Sequence, residues 1–513
     1  MRFSSLLVLH MACLFGTTAA GGVSNEKDNY SGLRRLGDKN NNGKCQHAGS
    51  SRDLEIAYEY TVRFWPRFMT YLQWQGPEID GGEGPLPINT LSAAERPMGP
   101  EFKAIVAINV DTLYAGGTLD LTKEPVILTL PKYDYVYSII QVDGFGTVMT
   151  NNLEPVAVGA VYALCGPDYQ GSLPLGVIPV RMTVNWSLLA IRADRYFLSD
   201  DHYIDVENEA DAFRLSLQLS PLSEWVTNPD GGHAILTPLS RYSTSIKTVT
   251  DLIALERPKD MMEALQYIMA DPSTAPLSPN DKALIRKFNK AFEASVGAMS
   301  AKQSVSSMFQ LASGVRKAQS DIVQNWKSLT TWSNWVHPEH LGSWGECYLN
   351  RASGNEFIQY GNIPSTAYYA HAFVDSDSNS LLGQKEGAGY TLKFTADELP
   401  TYTRFFSVTA YTVEEVELIP NLENKYAVAS YTPGLVIDAD GSITIYISFL
   451  PPLDPSLWPN WLPIVGPVSV MMRVYGPLGD AQTGKYVPPP IHANENSDRL
   501  LFPPPLSVRR SEQ

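Results

Sequence analysis

"AINVDTLYAGGTLDL" (residues 107–121) decides how the first half of this chain is read. The apolar run from Ala104 to Val110 has the composition of a buried strand, yet Asn109 and Asp111 set an amide and a carboxylate into it. Alternate residues of a strand share a face, so these two are expected to point together. The next strand-like run, "YVYSIIQVD" (135–143), ends on Gln141 and Asp143. In it Tyr135, Tyr137, Ile139, Gln141 and Asp143 share one face, and Val136, Ile140 and Val142 share the other with Ser138. If both runs lie in one sheet, tyrosines, amides and two carboxylates converge, as they do in sugar or small-molecule sites. Two carboxylates can divide acid and base roles when their surroundings push their pKa values apart. The plain alternative is the wet side of an antiparallel sheet. A third reading has Asp111 accepting backbone N–H bonds in a loop.

Working outward, residues 103 to about 195 read as β. "KAIVAINV", "PVILTL", "YVYSIIQVD", "PVAVGAVYALC" and "GVIPVRMTVNWSLLAIR" are apolar or alternating runs between turn clusters such as "LPKYD" and "GPDYQG". Strands at this spacing suggest an antiparallel sandwich. Upstream, a helix is expected from Ser51, kinked or split at Pro66. Downstream, residues 204–345 form a helical segment ending in a tryptophan-rich bridge, with Asp271-Pro272 and Ser278-Pro279 as helix ends. A second β domain is expected over 346–490. Its Ile443, Ile445 and Ile447 alternate with Ser442, Thr444 and Tyr446, and Asp440-Gly441 reads as a hairpin turn. Residues 491–513 read as a Pro-rich extended tail.

The 513 residues exceed what one core usually holds, about 250–300 residues. Apolar residues at 44% leave room for large cores, and 37 Pro, 37 Gly and 26 Tyr favour turns and strands over a helical bundle. A net charge of −15, without a basic run, argues against nucleic acid as a partner. Residues 1–21 have the grammar of a secretory signal peptide, and 22–50 that of a flexible leader, so the protein is expected to be secreted or extracytoplasmic. No later run is long enough to span a membrane. After Cys13 leaves, Cys45, Cys165 and Cys347 allow one disulfide at most, and Asn29 and Asn185 begin glycosylation sequons.

Familiar catalytic signatures do not stand out. "GFGTVM" (144–149) reads as a turn. "DSDSNSLLG" (375–383) starts like a calcium loop but has Ser380 where the sharp turn wants glycine, so it reads as a surface turn. His337 and His340 flank Pro338-Glu339 without a visible third ligand, and read as a turn or a helix cap before a metal site. No cofactor is named by the sequence.

"NVDTLYAGGTLDLTKEPVILTLP" (109–131) resembles the signature of the domain of unknown function DUF1254. "ENKYAVASYTPGL" (423–435), "DADGSITIYI" (438–447), "NWLP" (460–463) and "GPVSVMMRVYGP" (466–477) are similar to its usual companion, DUF1214. The resemblance covers about 55–490. It implies two antiparallel jelly-roll-like β-sandwich domains with a helical segment between them, and no established activity. Positions matching the recurring polar residues are Asn109, Asp111, Tyr114, Tyr137, Asp143, Asn460 and Arg473. Phe406 and Thr412 depart from it, standing where the pattern has Trp and Asp.

The leading expectation is an exported small-molecule- or glycan-directed hydrolase. Asp111 and Asp143 are its acid/base pair, Asn109, Tyr114, Tyr137 and Gln141 position the ligand, and Arg473 reaches in from the second domain. The rival is a non-catalytic binding or structural protein presenting paired β-sandwich surfaces, as a homo-oligomer or alone. An enzyme needs the two aspartates close in a cleft; a scaffold leaves them apart or saturated by backbone hydrogen bonds.

Overall fold

The computed structural model describes residues 52–75, 86–151, 159–271, 277–297, 301–338, 340–383 and 389–494. The expected signal peptide and leader, with Cys45 and Asn29, and also Glu339, lie outside them. Helix α1 (Arg52–Gln75) starts with Asp53 and Glu55 in its first turn, where the helix dipole favours acids. It buries Ala57, Tyr60, Phe64, Phe68 and Leu72, spaced three and four apart. Pro66 does not split it. Trp65, Phe64 and Phe68 are buried around the proline, and that packing outweighs the roughly 3 kcal/mol a mid-helix proline costs.

The first β unit contains β1 (Ser92–Ala94), β2 (Thr112–Asp120), β3 (Val126–Leu130), β4 (Tyr137–Val142), β5 (Val148–Asn151), β6 (Ala160–Cys165), β7 (Ile178–Arg181), β8 (Trp186–Asp194), β9 (Tyr196–Ser199) and β10 (His202–Asp205). Helix α2 (Glu207–Ser216), β11 (Gln218–Pro221), α3 (Leu222–Thr227) and β12 (Ile235–Thr237) complete it. A sheet in the order β12-β1-β2-β8-β4-β5 faces a second, β11-β3-β6-β7, across a core of Leu113, Leu128, Ile139, Leu164 and Ile191. Pairing is mostly antiparallel, with β1/β12 and β6/β7 parallel. Helical structure was expected from residue 204; instead Ala210, Phe213 and Leu219 pack into this core, so the unit runs on to β12. The apolar run 104–110 is not a strand, because Asn109 turns the chain just before β2.

Gly117 lets the chain entering β1 lie close against β2, and Gly116 does the same for β8. A Cβ on Gly117 would stand 2.3 Å from the Thr90 carbonyl oxygen, and one on Gly116 2.7 Å from that of Leu189.

Helices α4 (Ile246–Glu256), α5 (Pro258–Ala270), α6 (Pro279–Val296), α7 (Ala301–Ser328) and, after β13 (Trp335–Val336), α8 (Tyr348–Phe357) form the helical layer. α1 packs into it through Tyr60, Phe64 and Phe68, against Met262, Phe288 and Val315. The expected helix ends hold: α5 stops at Asp271, and Ser278 with Asp281 forms a capping box at the start of α6. Buried inside, Lys247 Nζ lies 2.6 Å from Asp251 and 3.0 Å from Glu356, whose other oxygen accepts the Trp65 indole N–H at 2.8 Å.

The second β unit holds β14 (Ala367–Ala372), β15 (Leu382–Gly383), β16 (Tyr390–Phe394), β17 (Tyr402–Thr412), β18 (Ala427–Ala429), β19 (Ile443–Ser448), β20 (Trp461–Pro463), β21 (Gly466–Pro477) and β22 (Ile491–Ala493). One sheet is ordered β13-β14-β21-β17-β18, the other β20-β19-β16-β22. Ile443, Ile445 and Ile447 enter the core between them, opposite Val408, Val470 and Met472. Asp438–Gly441 makes a turn, with Gly441 at φ +83°, but β19 pairs with β16 and β20, so the expected hairpin does not form. The expected tail starts later than 491, because β22 pairs with β16. Cys165 is a buried free thiol and Cys347 an exposed one. Among the described residues, no helix is long and apolar enough to cross a membrane.

Candidate functional site

Asp111 is wholly buried where the two β units meet. Ser407 Oγ donates to its Oδ2 at 2.8 Å, and the Tyr431 hydroxyl donates to Oδ1. Burial pushes its carboxyl above the usual range, opposed by the Tyr431 hydrogen bond, the Arg473 charge and the Ser407 bond. Asn109 caps the start of β2: its Oδ1 accepts from the backbone N–H of Asp111 at 3.1 Å and of Thr112 at 3.3 Å. Its Nδ2 donates to the Tyr475 hydroxyl at 2.6 Å. Arg473, fully buried on β21, donates to the Tyr411 hydroxyl at 2.8 Å and to the Ala107 carbonyl. Tyr411 donates in turn to the Ile108 carbonyl at 2.7 Å. Beside them Arg404 Nε donates to Asp194 Oδ2 at 2.8 Å. The loop 107–111 is thus strapped to one face of the β14-β21-β17 sheet by hydrogen bonds crossing from one unit to the other.

Asp143 stands elsewhere. It follows β4 and closes the β4–β5 turn, its Oδ1 accepting the N–H groups of Phe145 at 2.8 Å and Thr147 at 2.9 Å. Arg351 and Arg67 are its charged neighbours. Thr112 pairs with Asp194 and Val142 with Leu188, so six residues of β8, about 20 Å, separate the ends of the sheet that carry the two aspartates. The structure therefore does not bring the expected acid/base pair together, because each carboxylate sits in a local or interdomain hydrogen-bond set. Tyr137 is also not on a ligand surface: it packs in the sandwich core, its ring 5.0 Å from that of Phe213. Gln141 is buried within the same strand. Asn460 is architectural, accepting from Val436 N–H at 2.8 Å and donating to the Val436 and Thr444 carbonyls, each at 2.9 Å.

The remaining motifs resolve as turns. Asp375 Oδ1 accepts the N–H groups of Asp377 and Asn379, both at 2.9 Å. His337 Nδ1 lies 2.9 Å from the Tyr369 carbonyl, and its ring stacks on Tyr368.

Tyr114, among the expected site residues, borders a cavity. It measures about 170 Å³ and lies on the outer face of the first sheet. Gly116, Thr118, Leu188 and Ala190 make its floor; Met98, Phe102, Ile105 and Ile108 close it from the loop before β2. Gln73 and Trp74, at the end of α1, and Leu239 and Tyr242 form its sides. Tyr242 donates to the Gln73 carbonyl at 3.1 Å, and Gln359 Nε2 donates to Gln73 Oε1 at 3.1 Å. The buried Trp74 indole N–H has no hydrogen-bond partner among the described residues. An engineered apolar cavity of about 150 Å³ takes up benzene, so this volume suits one ring or a short chain. The sequence offered no signal for it beyond two small residues, Gly116 and Ala190, facing each other across β2 and β8.

Fold and site together define a protein of two sheet pairs on a helical layer, joined by a buried polar seam. The family described as a protein of unknown function, DUF1254, matches residues 88–219, and DUF1214, described likewise, matches residues 366–479. The chain thus carries both domains, DUF1254 over residues 88–219 and DUF1214 over residues 366–479. The crystal structure of the VPA0106 protein from Vibrio parahaemolyticus is similar in fold, with a TM-score of 0.53 at 20% identity over 86% of this chain and all of that one. An uncharacterised protein from Burkholderia cenocepacia gives a TM-score of 0.36 at 13% identity, over 86% of this chain and 94% of that one. No curated protein matches the chain.

Proposed function

We propose that this protein binds a small, mainly apolar molecule in the cavity between β2, β8 and the end of α1, and that its two β units, read as jelly-roll-like sandwiches, are the frame that holds that cavity. The observation that carries the reading is the cavity itself: a partly open pocket lined mostly by apolar side chains, with few polar groups, as small-molecule sites are. The carboxylate-pair hydrolase loses its support with about 20 Å of sheet between Asp111 and Asp143. The binding alternative gains it, because both carboxylates are occupied by protein donors. Export rests on the N-terminal sequence alone and enters as part of the same proposal.

Calorimetric titration with benzyl alcohol tests the reading. Wild type is expected to bind it, and Ala190→Phe, which puts a ring where the ligand would lie, is expected to weaken binding at least about tenfold. Equal binding by both proteins, or none by wild type, overturns it.

A further inference from the structure

The polar groups around the cavity narrow what it can hold. Among the described residues that line it, none carries a charge. A charged head placed there would lose water without gaining an ionic partner, which is costly. Most of the lining hydroxyls and amides are already engaged by the protein. Ser92 Oγ donates to the Gly116 carbonyl at 3.2 Å, and Thr237 Oγ1 to the Ala93 carbonyl at 3.3 Å. The Tyr242 hydroxyl donates to the Gln73 carbonyl, and Gln73 Oε1 accepts from both Gln359 and Tyr360. The Tyr114 hydroxyl accepts from Arg192.

Trp74 differs from these. It lies in the last turn of α1 and lines the cavity. Its ring stacks at 5.4 Å on that of Trp186, which stands outside the lining and so backs the indole from behind. The indole Nε1–H is buried and has no acceptor among the described residues. This group can only donate, so turning it cannot convert it into something its neighbours would satisfy. Buried donors without acceptors are few in native proteins, and each calls for an explanation.

We propose that the ligand is an uncharged oxygenate, its apolar ring or chain over Gly116 and Ala190 and its carbonyl, ether or hydroxyl oxygen accepting from Trp74 Nε1. The oxygen supplies the acceptor that the buried indole lacks. The uncharged lining selects against carboxylates and amines of the same shape, because neither finds a counter-ion there.

This inference rests on the cavity reading, and one experiment separates the two. Acetophenone and α-methylstyrene, which differ chiefly in a carbonyl oxygen against a methylene group, are titrated by calorimetry into wild type and Trp74→Phe. Both probes are expected to bind wild type. Trp74→Phe should weaken acetophenone about fivefold more than α-methylstyrene, the loss of one neutral hydrogen bond. In the nitrogen–proton spectrum of wild type, acetophenone should move one indole N–H signal downfield, and α-methylstyrene should not. Equal weakening of both probes, or no such signal, overturns the assignment to Trp74 and leaves the cavity reading standing. Benzoate bound as tightly as acetophenone overturns the uncharged class. Binding of no probe overturns both readings. If Trp74→Phe does not fold, the indole signal and the benzoate comparison in wild type still decide.

Discussion

Replacing Asp111 by asparagine isolates what the buried seam contributes. The change removes one negative charge and leaves the shape. In the native protein that carboxylate accepts from Ser407 and Tyr431, across 296 and 320 residues of chain. Hydrogen bonds to a charged group are worth about 1.5–3 kcal/mol each, so the gross loss is about 3–6 kcal/mol. Two effects reduce it. Asparagine keeps one acceptor oxygen, and the native carboxylate already bears a desolvation penalty, visible in its raised pKa. One effect adds to it: the buried Arg473 loses its nearby counter-charge. The net expectation is a destabilisation of about 2–4 kcal/mol. Read as a thermal midpoint by circular dichroism, this is a fall of about 2–4 °C for a chain of this length unfolding as one unit. Ser407→Ala, alone and combined with Asp111→Asn, completes a double-mutant cycle, and the two losses should be clearly less than additive. An unchanged or raised midpoint for Asp111→Asn refutes the reasoning, since that is how a functional carboxylate held at a stability cost behaves.

Three further outcomes follow from the same geometry. Burial and the Asp251 charge lift Glu356 to about 8, against the pull of Lys247 and Trp65. Its folded pKa is thus above its unfolded one, so the stability it contributes is full below the ordinary carboxylate range and is lost as pH rises through about 8. The wild-type melting temperature should therefore decline between about pH 5 and pH 9 by more than that of Glu356→Gln, and parallel profiles would contradict this assignment. Gly117→Ala pushes a Cβ to 2.3 Å from the Thr90 carbonyl oxygen, both ends of the contact being backbone. It should lower stability by about 2 kcal/mol or more in a denaturant titration, and a neutral result would mean that β1 can move away. Asn460→Ala deletes three hydrogen bonds of a buried amide and strands the Val436 N–H, for an expected loss of about 2–4 kcal/mol in the same titration.

Much of the strand framework was legible because it is written in local pattern. Ile443, Ile445 and Ile447 announce a half-buried strand by alternation alone, and Ser278-Pro279 announces a helix start by its cap chemistry. The run Ala104–Val110 misled for a physical reason. A loop buried between two β units is as apolar as a strand, and what stops it being one is the Asn109 side chain taking the N–H groups of Asp111 and Thr112. Tyr137 misled because alternation sets it on one face with Gln141 and Asp143, and that face of β4 turns inward, where Tyr137 and Ile139 join the core. The candidate site was less legible. Ser407 and Tyr431, which bind Asp111, lie about three hundred residues from it, and no local pattern connects them. The cavity is space left by Gly116 and Ala190, and a void has no residue of its own to read.

Soaking crystals of the protein with benzyl alcohol and determining the structure tests the central claim most directly. The ring is expected over Gly116 and Ala190, between Leu188 and Ile105. A cavity filled by the protein's own side chains, or benzyl alcohol bound only elsewhere, would contradict it.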